Sequence, residues 1–150
     1  MTAFVAAGLG FLLAVLWFDL MFDVQAMRHR SDADLPERVL ASISGYYARV
    51  TTGARPMNRL IAVVMVATIA AIVVQLGGDD APDWVAAASL ALTLVAVGLA
   101  GAHTVPGARR LGARRDDQAV QSRLARSILR DHLVCLAAIA SVLVLQLGWA

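Results

Sequence analysis

The chain has 150 residues, of which 59% are hydrophobic and 16% charged, and its mean hydropathy is +0.70. Apolar residues gathered into long runs are typical of membrane helices and exclude an ordinary soluble domain, while the single cysteine excludes an internal disulfide framework. The formal net charge is only +2. We therefore predict an all-α integral membrane protein, a bundle of four transmembrane helices in one domain over residues 1–150.

Four apolar runs are long enough to cross a hydrocarbon core of about 30 Å, which needs about 20 helical residues. The first has a long apolar region with no basic residue before it, so we predict a retained span and not a cleaved signal peptide. Gly77 and Gly78 close the second run, and Pro106 is expected to end the third. The predicted spans are residues 3–27, 57–76, 82–105 and 131–149.

Charge predicts the orientation. All 13 basic residues are arginines, six in residues 28–59 and seven in residues 109–130, whereas the turn at residues 77–84 carries three aspartates. By the positive-inside rule both arginine-rich loops are cytoplasmic and both termini lie outside. This predicts a multi-pass protein of a bacterial inner (plasma) membrane. Arginines beside a membrane usually meet anionic lipid headgroups, so we expect lipids, and not nucleic acid, as their partners.

The two arginine-rich loops carry amphipathic patterns. Apolar residues recur at helical spacing from Val39 to Val50, which predicts a helix over residues 36–53 that lies on the cytoplasmic surface. A second apolar stripe runs from Val120 to Ile128 with no glycine or proline after it. We expect that helix to continue unbroken into the fourth span.

The two halves of the sequence resemble each other. A shift of 71 residues places Arg59 on Arg130 and Gln75 on Gln146. This pattern predicts two helical hairpins with the same orientation, related by an axis along the membrane normal. The two arginines would then hold equivalent places, each where a span leaves the cytoplasmic side.

The stretch LWFDLMFDVQ places Asp19 and Asp23 one helical turn apart inside the first span. A carboxylate at mid-helix costs about 2.5–3.5 kcal/mol on insertion scales, so such a residue normally faces the bundle and finds a partner. We predict a structural charge network in which the two acids pair with Arg59, Arg130 or His103. Arg59→Leu is accordingly expected to destabilise the bundle more than Arg109→Leu.

A chemical site is the alternative interpretation. Three histidines and three aspartates fall near the cytoplasmic ends of the spans, and such groups can ligate a transition metal. No two histidines stand at i and i+4, however, and there is no Glu-x-x-His motif, so we predict no metal, no cofactor and no catalytic residue. The residues concerned are His29, His103, His132, Asp19, Asp23 and Asp131.

Small residues recur along the third span, and small faces let helices approach one another closely. They predict either packing within the bundle or a docking face for another membrane protein. The residues of this face are Ser89, Thr93, Ala96, Gly98, Ala100 and Gly101.

Two family resemblances bear on function. WFDLMFD, residues 17–23, resembles a motif of small uncharacterised four-span actinobacterial membrane proteins, and proteins of this size and setting include auxiliary subunits of mammalian-cell-entry type lipid importers. The layout, with RSILRDHLVCL at residues 126–136, more faintly resembles anthrone-oxygenase-like four-span proteins. The first resemblance implies no known activity. We expect a non-enzymatic accessory or scaffolding subunit of a larger inner-membrane complex, such as a lipid transporter, because the chain has almost no soluble parts, no recognisable catalytic motif and too little volume for a transport pathway of its own. The second implies a membrane-embedded oxidoreductase with an Asp/His site at the cytoplasmic end of the bundle.

Overall fold

A computed structural model describes residues 1–29, 31–53, 55–78 and 81–149. This part of the chain is helical and contains no strand, which confirms the predicted all-α class. Two short π-helical segments follow the second and fourth α-helices without a break. The α-helices are α1 (Thr2–Met27), α2 (Glu37–Ala48), α3 (Arg55–Gln75), α4 (Asp83–Leu99), α5 (Val105–Ala113) and α6 (Gln118–Gly148), and the π segments are Arg49–Gly53 and Ala100–Thr104.

Four helical stretches are long and apolar enough to cross a membrane, as predicted: Thr2–Met27, Pro56–Gln75, Asp83–Ala113 and Gln118–Gly148. The helices α1 and α4 each pack along both α3 and α6, so the four form a ring in which α1 and α4 are diagonally opposed. The end of the bundle where α1 ends and α6 begins carries the arginines, and we call it the arginine-rich end. Arg30 and the aspartates 79 and 80 of the acidic turn lie outside the described residues.

The helix that carries the third span does not end at Pro106, contrary to the sequence-based expectation. The helix continues from Asp83 to Ala113, and the π-helical turn Ala100–Thr104 stands directly before the proline. Proline cannot donate a backbone hydrogen bond and its ring collides with the preceding turn. A local π turn is one of the rearrangements that let a membrane helix continue past such a residue.

The helix predicted over residues 36–53 is present, as α2 and the π segment that follows it. Its apolar stripe is covered by protein: Val39, Ile43 and Tyr47 pack with Leu111 of α5 and Ile128 of α6 in one buried cluster. The helices α2 and α5 therefore form a cap over the arginine-rich end. The expectation of a helix facing the membrane surface is corrected in this respect, because α5 supplies the apolar partner that the stripe needs.

The unbroken helix predicted from the second loop into the fourth span is confirmed as α6. The side chain of Asp117 caps it by accepting a hydrogen bond from the Val120 backbone N–H at 2.7 Å. A second buried cluster, centred on Leu9, Ile72 and Ile139, holds the spans together farther along the bundle. Large apolar side chains on the outer surface, including Trp17 and Val144, are exposed, as expected for groups that face lipid.

Candidate functional site

Asp23 is the most deeply buried acid of the described chain, with no exposed surface. Its carboxylate faces α6, where His132 Nδ1 lies 2.6 Å from Asp23 Oδ2. The other ring nitrogen of His132, Nε2, lies 3.8 Å from Asp19 Oδ2. One imidazole thus stands between the two carboxylates of the first span, and both acids face the bundle interior as predicted.

The cap helix supplies the remaining partners of the two acids. The Tyr47 hydroxyl donates to Asp23 Oδ1 at 2.8 Å, and the Tyr46 hydroxyl donates to Asp19 Oδ1 at 2.6 Å. Phe22 stacks on the Tyr46 ring with a centroid distance of 4.1 Å. Burial, followed by the neighbouring carboxylates, raises the pKa of both phenols, so both keep their protons and act as donors at neutral pH.

We call Asp19, Asp23, Tyr46, Tyr47 and His132 the acid–tyrosine–histidine cluster. It joins three elements, α1, α2 and α6, at the arginine-rich end. Each carboxylate accepts a phenolic hydrogen bond, and the histidine adds a partner for both acids. Buried polar groups satisfied in this way rigidify the elements that carry them.

A second polar contact ties α6 to the π turn of the third span. Asp131 Oδ2 lies 2.5 Å from His103 Nδ1 and accepts a hydrogen bond from the Thr104 hydroxyl at 3.1 Å. Asp131 is buried, whereas the His103 side chain is 55% exposed. Asp131 therefore contacts the third span, and the adjacent residue His132 contacts the first span.

The arginines expected to pair with the two acids lie elsewhere. Arg59 is exposed and makes no hydrogen bond or ion pair to any described residue, and Arg130 reaches only the Ser127 hydroxyl, at 3.3 Å. Long arginine side chains at span ends extend toward the polar interface, where water and headgroups solvate the charge. His103 pairs with Asp131, not with Asp19. The partners are thus a histidine and two tyrosines, and their role in stability remains a prediction.

The sequence analysis did not identify His132, Tyr46 and Tyr47 as partners of the two acids. Two features of the sequence point to them, the adjacent tyrosines and the adjacent polar residues Asp131 and His132. Tyr46 and Tyr47 end an amphipathic helix, and two polar residues inside a membrane helix call for buried partners. Among the residues that the structure describes, no group of three or more His, Cys, Asp or Glu side chains is placed to hold a metal ion.

The small-residue face of the third span divides into two parts. Ser89, Thr93 and Ala96 are buried inside the bundle. Gly98 and Gly101 are exposed, and a Cβ atom added at either would meet no atom within 4 Å. Ala100, between them, is half-buried. The half of this face that is farther from the arginine-rich end packs within the bundle, and the half nearer that end is open.

Fold and site together define a multi-pass membrane protein of four spans, in which a buried polar cluster joins two of the spans, α1 and α6, to a helical cap. A family model, SHR3_chaperone, with the description "ER membrane protein SH3", matches residues 1–150. The chain belongs to this family. Searches of curated proteins and of solved structures found no match.

Proposed function

We propose that this protein is a membrane-embedded chaperone or accessory protein that binds the transmembrane helices of other membrane proteins. The observation that carries the proposal is the family match over residues 1–150, because the family's name gives a chaperone of a membrane compartment. A non-enzymatic accessory role was also the function expected from the sequence. Such a protein needs a lipid-facing surface that a partner helix can approach closely.

The open part of α4 and its π turn supports this role. Gly98 and Ala102 stand four residues apart with Gly101 beside them, and all three are exposed. Small residues at this spacing let a second helix reach van der Waals contact with the backbone. The flanking side chains Leu94 and Val95 are also exposed and could pack around a bound helix.

The role of this surface is tested with the variant Gly98→Leu, and Gly10→Leu is its matched control. Both glycines are exposed on membrane helices, and a Cβ atom added at either would meet no atom within 4 Å, so the first side-chain atom of each leucine enters open space. Leucine also has a better helix propensity than glycine. We expect Gly98→Leu to reduce the membrane proteins that copurify with the chain from native membranes, while Gly10→Leu retains them.

Equal recovery of partners with both variants would place the docking surface elsewhere. Recovery of no membrane protein with the parent chain, after crosslinking in intact membranes, would contradict the chaperone role itself. Components of a lipid-import complex are the partners that the actinobacterial resemblance favours. Their enrichment over other membrane proteins in the same experiment tests that narrower proposal.

A further inference from the structure

A cavity of about 510 Å³ lies at the arginine-rich end, between α5 and the first turns of α6. Four arginines line it together with one hydroxyl and two aliphatic side chains. Neither the acid–tyrosine–histidine cluster nor the open face of α4 contributes to it. The lining residues are Arg110, Arg123, Arg126, Arg130, Ser127, Val120 and Leu124.

Three of these guanidinium groups have no carboxylate partner within the described chain. Only Arg110 is neutralised, by a two-point contact with Asp116 at 2.8 Å and 2.8 Å. Arg130 contacts the Ser127 hydroxyl alone, and Arg123 makes no hydrogen bond or ion pair to a described residue. The cavity wall therefore carries an uncompensated positive charge.

Arg126 is held in place without being neutralised. Its Nη atoms donate to the backbone carbonyls of His29, Asp32 and Ala33 at 2.7–3.2 Å. Its Nε atom is buried and has no acceptor among the described residues. Arg126 is therefore anchored at the cavity wall by neutral carbonyl groups, while its positive charge has no carboxylate partner among the described residues.

The spacing of these arginines increases the need for an anion. Arg123, Arg126 and Arg130 follow one face of α6 at intervals of three and four residues, where like charges repel. Arg130 immediately precedes the predicted fourth span, and Arg123 lies about 10 Å farther along the helix axis at 1.5 Å per residue. This depth matches the headgroup layer of a bilayer.

We propose that this cavity binds the phosphate groups of an anionic phospholipid. Guanidinium groups suit phosphate because they donate two parallel hydrogen bonds to its oxygens. Val120 and Leu124 supply apolar contacts for the glycerol and upper acyl carbons, which free phosphate lacks. Three guanidinium groups without a carboxylate partner favour a headgroup with two phosphates over one with a single phosphate. The proposal does not depend on the chaperone role.

The test is native mass spectrometry of the full-length protein in detergent with tetraoleoyl cardiolipin, dioleoylphosphatidylglycerol or dioleoylphosphatidylcholine. We expect retention to fall in that order. Each of Arg123→Gln and Arg130→Gln should weaken cardiolipin binding about fivefold, the loss typical of one arginine at an anionic surface. Arg109→Gln is the matched control, since Arg109 is exposed at the same end but does not line the cavity.

Two outcomes would overturn the proposal. Equal losses of cardiolipin binding in Arg109→Gln and in the cavity variants would show that the lipid is attracted to the whole basic surface and binds no defined site. Displacement of cardiolipin by equimolar inorganic phosphate would identify free phosphate as the ligand. Circular dichroism of each variant should show an unchanged helical content, since neither Arg123 nor Arg130 makes a hydrogen bond or ion pair to a described residue outside α6.

Discussion

Gln75 and Gln146, which a shift of 71 residues aligns in the sequence, are hydrogen-bonded to each other in the buried interior, with Gln75 Nε2 donating to Gln146 Oε1 at 3.0 Å. Gln146 Nε2 donates in turn to the Ser89 hydroxyl at 3.1 Å, and Gln75 Nε2 lies 3.4 Å from the Thr2 hydroxyl. One polar cluster thus links all four spans at the end opposite the arginines.

Gln146→Leu should destabilise the protein more than Gln75→Leu. Gln146→Leu leaves the Gln75 amide with only its 3.4 Å contact to Thr2 and removes the donor to the Ser89 hydroxyl. Gln75→Leu leaves Gln146 Oε1 without its donor but also removes a buried oxygen, Gln75 Oε1, that already lacks a partner among the described residues. A buried polar group left without a partner costs about 1–3 kcal/mol. The free energies of unfolding in mixed micelles should show a coupling of about 0.6–1.7 kcal/mol in the double-variant cycle. Additive losses would mean that the pair contributes nothing.

His132→Leu should destabilise the protein by about 3–5 kcal/mol, because it leaves Asp23 buried without its closest partner. Asp23→Leu in the same chain should recover part of the loss. Arg59→Leu and Arg109→Leu should both stay within about 1 kcal/mol, since both arginines are exposed. This replaces the larger loss at Arg59 expected from the sequence. A large loss of stability for Arg59→Leu and not for Arg109→Leu would instead support the pairing of Arg59 with the two acids.

Tyr47 should make the fold sensitive to alkali. Its pKa in the folded state is raised above the ordinary value of 10.0, so the folded chain holds this proton more tightly than the unfolded chain does. The stability from this group is therefore complete below about pH 10 and falls as the pH rises further. Thermal unfolding from neutral to strongly alkaline pH should show a steeper decline for the parent chain than for Tyr47→Phe. Parallel curves would contradict the assignment.

The cap should depend on a close approach at Gly112. A Cβ added there would lie 2.7 Å from the Ala48 backbone nitrogen, whereas one added at Gly107 would make ordinary contacts with Ile128 at 3.6 Å. Gly112→Ala should therefore push α5 from α2, at a cost of about 1–3 kcal/mol, and Gly107→Ala should not. Hydrogen exchange over residues 39–50 should accelerate only in the first variant. Fast exchange over this segment in the parent chain would mean that the cap is not stably formed.

The orientation predicted from the arginines is tested by cysteine labelling in a Cys135→Ala background. Asp79, the natural outer position, lies outside the described residues, so Gly77→Cys serves instead, with Ala113→Cys at the arginine-rich end. Both positions are exposed. A membrane-impermeant reagent should reach the first in intact cells and the second only after lysis. The reverse pattern would invert the topology.

Hydropathy alone predicted the four helices that are long and apolar enough to cross a membrane, because such helices are defined by local composition. The inward direction of Asp19 and Asp23 was also predictable from the cost of exposing a charge to lipid. Their partners were not. His132 contacts Asp23 across 109 residues of sequence, and which polar group reaches a buried acid depends on helix rotation and on the cap. The prediction that the helix ends at Pro106 was wrong, because the π turn that lets it continue has no sequence signature.

The cap has a consequence for biosynthesis. During translation, Asp23 enters the bilayer 109 residues before His132 is made, and the Leu35 backbone N–H precedes the Ser122 hydroxyl that accepts its hydrogen bond by 87 residues. Until then, Asp23 has its Tyr47 partner within the first two spans but lacks His132, and the apolar stripe of α2 lacks its cover from α5 and α6. Only the emergence of the second hairpin completes these contacts. Until the last span is synthesised, Asp23 and the Leu35 backbone N–H lack their partners on α6 and can form hydrogen bonds with other proteins in the membrane.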